Sequence, residues 1–128
     1  MNDKYAAENI VRKSDTDVKK CMLCGKCSGT CPVFDEMDIK PHQFVQYLLH
    51  GQTDVLLKSE SIWKCLSCMA CVERCPRGVA PQGVIEAVRN TVIGAADGNT
   101  LKAEDIPPIV DEFIPQQLIV SAFRKYKK

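Results

Sequence analysis

Two short stretches, KCMLCGKCSGTCP at residues 20–32 and KCLSCMACVERCP at residues 64–76, hold all eight cysteines of the chain. In each, three cysteines stand three residues apart, and a fourth comes one residue late with a proline behind it. The first run is Cys21, Cys24, Cys27 and Cys31 before Pro32; the second is Cys65, Cys68, Cys71 and Cys75 before Pro76. The copies lie 44 residues apart and also match at Lys20 and Lys64. The chain must fold around whatever the thiols bind.

Redox setting decides what that is. The N-terminal stretch MNDKYAAENIVRKSDTD has no apolar core of the kind a secretory signal carries, so a cytoplasmic location is expected. There thiols stay reduced, and patterned cysteines bind metal more often than they pair as disulfides. The 128 residues suit one compact domain with a modest core. With 45% apolar and 26% charged residues, disorder throughout is not expected. A formal net charge of +1 supplies no electrostatic basis for nucleic-acid or membrane-surface binding. No apolar run approaches the roughly 20 residues needed to cross a bilayer, so direct membrane insertion is not expected.

The run C-x₂-C-x₂-C-x₃-C-P is the ferredoxin pattern for [4Fe–4S] binding. Three cysteines at three-residue intervals let one looping segment offer three thiolates to three irons of a cube, while loop N–H groups approach the sulfurs. Gly25, Lys26, Met69 and Ala70 fall inside these loops, where small or flexible residues ease that approach. The fourth cysteine lies a turn further on and serves the other cluster. One [4Fe–4S] cluster is therefore expected on Cys21, Cys24, Cys27 and Cys75, and the other on Cys65, Cys68, Cys71 and Cys31. Structural zinc, which also favours C-x₂-C pairs, is the competing reading and would make the chain an adapter without redox function. His42 and His50 are expected at the surface or in packing, Trp63 as a core or cluster-covering ring, and Lys20 and Lys64 as solvated lysines.

The segment between the runs reads as helix. Pro41 suits a first turn, Phe44, Leu48 and Leu49 recur on one face, and Gly51 stops it. A short helix follows from Thr53, a candidate N-cap, to Leu57. After a turn at Gly78 and Pro81, Val84, Ile85, Val88, Val92 and Ala95 recur at helical spacing until Asp97-Gly98-Asn99. The expected fold is thus mainly α, an α-helical ferredoxin-like domain over residues 18–98 built around two [4Fe–4S] clusters. Residues 1–17 form an arm or short helix. Residues 99–128 are an extension whose possible helix from about Gln116 either packs back or docks a partner.

No GxGxxG, P-loop, paired-carboxylate or Ser/His arrangement is present, so no catalytic residue of its own is expected and the chain reads as an electron relay. The stretch IWKCLSCMACVERCPRGV at 62–79, with CMLCGKCSGTCPV at 21–33 and the helical linker, resembles the C-type iron–sulfur subunit of heterodisulfide reductase. The resemblance covers roughly residues 15–95, with W-K-C-x-x-C-x-x-C-x-x-R-C-P-x-G-V its most specific part. It implies a hetero-oligomer in which the chain passes electrons from an FAD-containing, A-type flavoprotein to a catalytic, B-type protein bearing CCG motifs. There a disulfide such as the coenzyme M–coenzyme B heterodisulfide of methanogenesis is reduced. CCG motifs are absent here, as suits the two-cluster member of the family. Iron–sulfur subunits of quinone-linked or dicarboxylate-linked enzymes share the same helical unit and remain the alternative.

Overall fold

Between Gly25 and Arg74, proline, glycine and the cysteine runs interrupt the chain so often that only helices of four to nine residues fit. The computed structural model describes residues 3–95 and 113–125, and among these there is no strand. Helix α1 spans Asp3–Ser14, α2 Lys26–Gly29, α3 Pro41–Leu49, α4 Thr53–Leu57, α5 Ser61–Lys64, α6 Ala70–Arg74, α7 Pro81–Ala95 and α8 Gln116–Lys125. Single 3₁₀ turns occupy Val18–Lys20 and Phe34–Glu36. The fold is mainly α. Two compact units divide it, residues 1–92 and 93–128.

In the first unit the long helices supply the core. Ala6, Ile10 and Ser14 follow each other at four-residue spacing along α1 and are all buried, Ile10 completely. The N-terminal segment is therefore a helix built into the core. Pro41 opens α3, where its missing N–H costs no bond, and Gln43 Oε1 accepts the N–H of Lys40 at 2.8 Å to finish the turn. Phe44, Val45 and Leu48 of α3 meet Val84, Ile85, Ala87 and Val88 of α7 in one cluster with Leu56 and Ile62. Fully burying a side chain such as Phe44 or Ile85 stabilises the fold by about 1.5–3 kcal/mol each. That matters for α2, α5 and α6, which have four or five residues and would not hold as isolated helices.

Close backbone approach fixes α1 against α7. A Cβ at Gly83 would stand 2.7 Å from the Ser14 carbonyl oxygen, so only glycine lets the two helices meet there. Thr53 departs from the expectation that it caps α4. Gln52 holds that position without a side-chain cap, and Thr53 is buried with its Oγ1 lacking a partner. The expected helix stop at Asp97-Gly98-Asn99 lies outside the described residues. In the second unit, α8 begins at the expected Gln116, with Leu118 and Val120 exposed and Ile119, Ala122 and Phe123 half-buried. Among the described residues no helix is long and apolar enough to cross a membrane.

Candidate metal centre

The two cysteine runs fold into near-identical backbone. Cys21 enters its loop at φ −64°, ψ 125°, and Cys65 at φ −58°, ψ 123°. Two residues on, Leu23 and Ser67 both turn left-handed, at φ 57° and 53°. Gly25 (φ 74°, ψ 3°) and Met69 (φ 64°, ψ 3°) do so again as the residues preceding α2 and α6. Left-handed backbone at Leu, Ser and Met is costly, and it persists only where the surroundings over-determine it. Here the repeated demand is to wrap a loop around a point that three thiols face.

Each loop closes on a cavity completed by the other run. Cys21, Cys24, Cys27 and Cys75 line one, with about 360 Å³ of empty space including its open mouth. Cys65, Cys68, Cys71 and Cys31 line the other, with about 340 Å³. The walls match in pairs: Met22 and Leu66, Gly25 and Met69, Pro76 and Pro32, His42 and Gln82, Val45 and Ile85, Pro81 and Pro41. Cys21, Cys31, Cys65 and Cys75 pack against the apolar core, so each cavity has a dry back wall. Cys24 and Cys68 are exposed and mark the outer side of each.

None of the eight cysteines is paired in a disulfide. Burial pushes the Cys27 thiol up and the Cys71 thiol up to about 11, the latter against an opposing hydrogen bond from the Gln82 backbone. Thiols so placed ionise when a cation displaces the proton, as iron does. Val79 N–H points at Cys75 Sγ at 3.3 Å, a donor suited to a thiolate. Among the described residues no three His, Cys, Asp or Glu side chains are close enough together to hold a single metal ion. Four thiols spread around a cavity suit a polynuclear cube better than one tetrahedral zinc ion.

Around the loops, Asp38 accepts from Ser59 Oγ and from Ser61 N–H at 2.8 Å each, and from Ser61 Oγ, which fixes the segment leading into Cys65. Desolvation by the neighbouring chain would raise that largely exposed carboxyl, but these bonds together with the Ile39 backbone bring it to about 2. Arg89 of α7 donates to the carbonyls of Ile62 at 2.7 Å and Cys65 at 3.0 Å. Neither residue stood out in the sequence, because their role is to hold backbone rather than to bind. His42 is half-buried and packed on Ser28, and it also lines the first cavity, a place the expectation of a surface or packing residue did not specify. The signal was there: His42 follows Pro41 as Gln82 follows Pro81. Trp63 is 55% exposed, because α5 turns Ile62 inward instead; a core ring is overturned. His50 is exposed and bonded to Gln46 O at 2.8 Å, and Lys20 and Lys64 are exposed.

Residues 17–79 match the family described as the 4Fe-4S dicluster domain. These residues form a 4Fe-4S dicluster domain, which makes the chain an iron–sulfur protein of the class that carries two [4Fe–4S] clusters. Over 90 residues, 70% of the chain, it is 37% identical to the C2 subunit of the H(2)/formate:CoB-CoM heterodisulfide,ferredoxin reductase of Methanococcus maripaludis, covering 47% of that protein. It is 38% identical over 101 residues, 77% of the chain, to the second C-type iron-sulfur subunit of the CoB--CoM heterodisulfide reductase of Methanocaldococcus jannaschii, covering 53% of it. A protein of Archaeoglobus profundus, named as like the C-type subunit of heterodisulfide reductase, is 34% identical over 68% of the chain and 47% of its own length. The chain is a homologue of the C-type subunit of heterodisulfide reductase and spans about half the length of these relatives.

Proposed function

We propose that this chain is the electron-transfer subunit of a heterodisulfide-reductase-type complex, holding one [4Fe–4S] cluster on Cys21, Cys24, Cys27 and Cys75 and the other on Cys65, Cys68, Cys71 and Cys31. One observation carries the ligand sets: each cavity is lined by three cysteines of one run and the late cysteine of the other. When bound, the clusters supply one-electron storage at two adjacent points. The protein's part is to hold them. Core side chains exclude water from the inner walls, the loops offer backbone donors to sulfur, and the proline after each late cysteine turns the chain from one cavity towards the next helix.

The exposed thiol of each site, Cys24 and Cys68, lies where a partner's redox centre can approach. The partners proposed are an FAD-containing flavoprotein of the A type and a CCG-motif protein of the B type, where the disulfide is cleaved. The relatives' names support a complex of this kind. Anaerobic purification of the tagged chain from its host, with mass spectrometry of what accompanies it, tests the reading. Recovery of a CCG protein with a flavoprotein of the A type is the expected result. A dehydrogenase flavoprotein or quinone-binding membrane protein in their place overturns the disulfide assignment while leaving the clusters intact.

A further inference from the structure

Because the two sites share backbone and cysteines, their differing side chains decide how easily each accepts an electron. Several matched positions differ in polarity, Lys26 against Ala70 and Thr30 against Arg74 among them, and three matter for donors near the thiols. Ser28, beside Cys27, corresponds to Val72 beside Cys71; His42 corresponds to Gln82; Arg77, two residues past Cys75, corresponds to Val33 past Cys31. In all three the first site has the stronger donor or the positive charge.

The His42 pair is the most constrained. Ser28 is 3% exposed, and its Oγ accepts the His42 backbone N–H at 3.1 Å and pairs with the ring Nδ1 at 2.6 Å. That fixes the imidazole in the wall of the first cavity and leaves Nε2 as its uncommitted nitrogen. Gln82 occupies the same place in the second cavity, but its amide donates to Glu86 Oε2 at 2.7 Å. An imidazole is held in the wall of the first site, whereas at the second the Gln82 side chain is engaged by Glu86 and only its backbone N–H reaches Cys71.

The arginines oppose each other. Arg77 lines the first cavity, with Nε 3.4 Å from Met22 Sδ, and is exposed. Arg89 stands behind the second site on the Cys65 carbonyl. Lys26 beside Cys27 and Arg74 beside Cys75 add exposed, solvent-screened charge on the first site's side, whereas His42 with the buried Ser28 is the pair held in its wall. Hydrogen bonds and dipoles directed at cluster sulfurs favour the more negative, reduced state and raise the potential.

We propose that His42, positioned by Ser28, sets the potential of the first site, so that the cluster on Cys21, Cys24, Cys27 and Cys75 is the more easily reduced of the two. The proposal rests on the ligand assignment above. It is tested on the full chain, purified anaerobically with both clusters, by dithionite titration followed by electron paramagnetic resonance. Wild-type protein should show two separate one-electron midpoints. His42→Gln should lower only the higher one by at least a tenfold change in the reduced-to-oxidised ratio, about 59 mV for one electron. Gln82→His should raise only the lower. Ser28→Ala should shift the higher midpoint in the same direction as His42→Gln, and it carries the test if that variant loses iron. Coincident wild-type midpoints, a His42→Gln that moves the lower midpoint, or no shift in any variant with full iron overturns the proposal alone. Wild-type protein without two cubane signals overturns the ligand assignment first, and the proposal with it.

Discussion

Cys31 and Pro41 are joined by nine residues that wind through the 3₁₀ turn at Phe34–Glu36, whereas Cys75 and Pro81 are joined by five that turn at Gly78. The loops before these connectors agree to within about ten degrees at each matched dihedral. Both connectors nevertheless end in the same bond. Ile39 N–H donates to Ser61 Oγ at 2.9 Å and Ala80 N–H to Thr16 Oγ1 at 3.0 Å, each hydroxyl belonging to the lead-in of the other cysteine run. The comparison separates two kinds of constraint. What the thiols must surround is reproduced closely; the way the chain travels between is free, provided each connector ties down the opposite lead-in.

The cross-linked arrangement is broken most directly at the late cysteines. Cys31→Ser should remove the cluster of Cys65, Cys68 and Cys71 while leaving the other, and Cys75→Ser should do the reverse. Iron content and electron paramagnetic resonance of the two variants give the answer. If Cys75→Ser disturbs only the site of Cys65, Cys68 and Cys71, the assignment is inverted. Arg89→Leu comes next, because it strips charged donors from two carbonyls at one lead-in only. Bonds from charged groups contribute about 1.5–3 kcal/mol each, so this variant should lose iron to a chelator faster from the second site than from the first.

Asp38 sharpens the same contrast, since the first lead-in has no carboxylate holding two hydroxyls; Asp17 there accepts only the Lys19 N–H, at 3.1 Å. Asp38→Asn should destabilise the fold by roughly 1 kcal/mol, the modest end for a hydrogen-bonded group that is itself exposed to water. The folded carboxyl sits near 2, below its ordinary 3.8, so its contribution is present above pH 3.8 and is lost as pH falls through about 2. Denaturant titrations of wild type and Asp38→Asn should therefore converge across that window. The difference between the two curves isolates Asp38 from the acid lability of the cysteine sites.

Much of this was legible from residue order alone. Period and punctuation placed α3 and α7, because Pro41 and Pro81 sit where a first helical turn tolerates proline and the apolar residues behind them recur at helical spacing. The cysteine spacing singles out the same three-plus-one sets that line the two cavities. What it did not reveal depends on packing across the repeat. His42 reads as a surface or packing histidine, and only the bond to Ser28, 14 residues earlier, shows that it stands in a cavity wall. Trp63 looked like core because large aromatics usually are, yet a four-residue helix has room to bury Ile62 and not its neighbour. Asp38 and Arg89 act on backbone groups that are far away in sequence, and no local pattern announces such partners.

The smallest expected effect concerns the left-handed residues, where the halves differ by one side chain on the same backbone. Gly25 and Met69 have nearly the same φ and ψ, but only methionine bears the steric cost of a Cβ there. A Cβ at Gly25 meets nothing within 4 Å, so Gly25→Ala tests conformation without a clash. It should destabilise the fold by about 1 kcal/mol, and Met69→Gly should stabilise it by a similar or smaller amount, since Met69 is already 47% exposed and loses little packing. Opposite signs in thermal melts of the two cluster-loaded variants would mean that backbone strain, equal in both loops, is relieved at one by glycine and borne at the other. Equal signs would show instead that Met69 is kept for its contacts at the mouth of the second cavity.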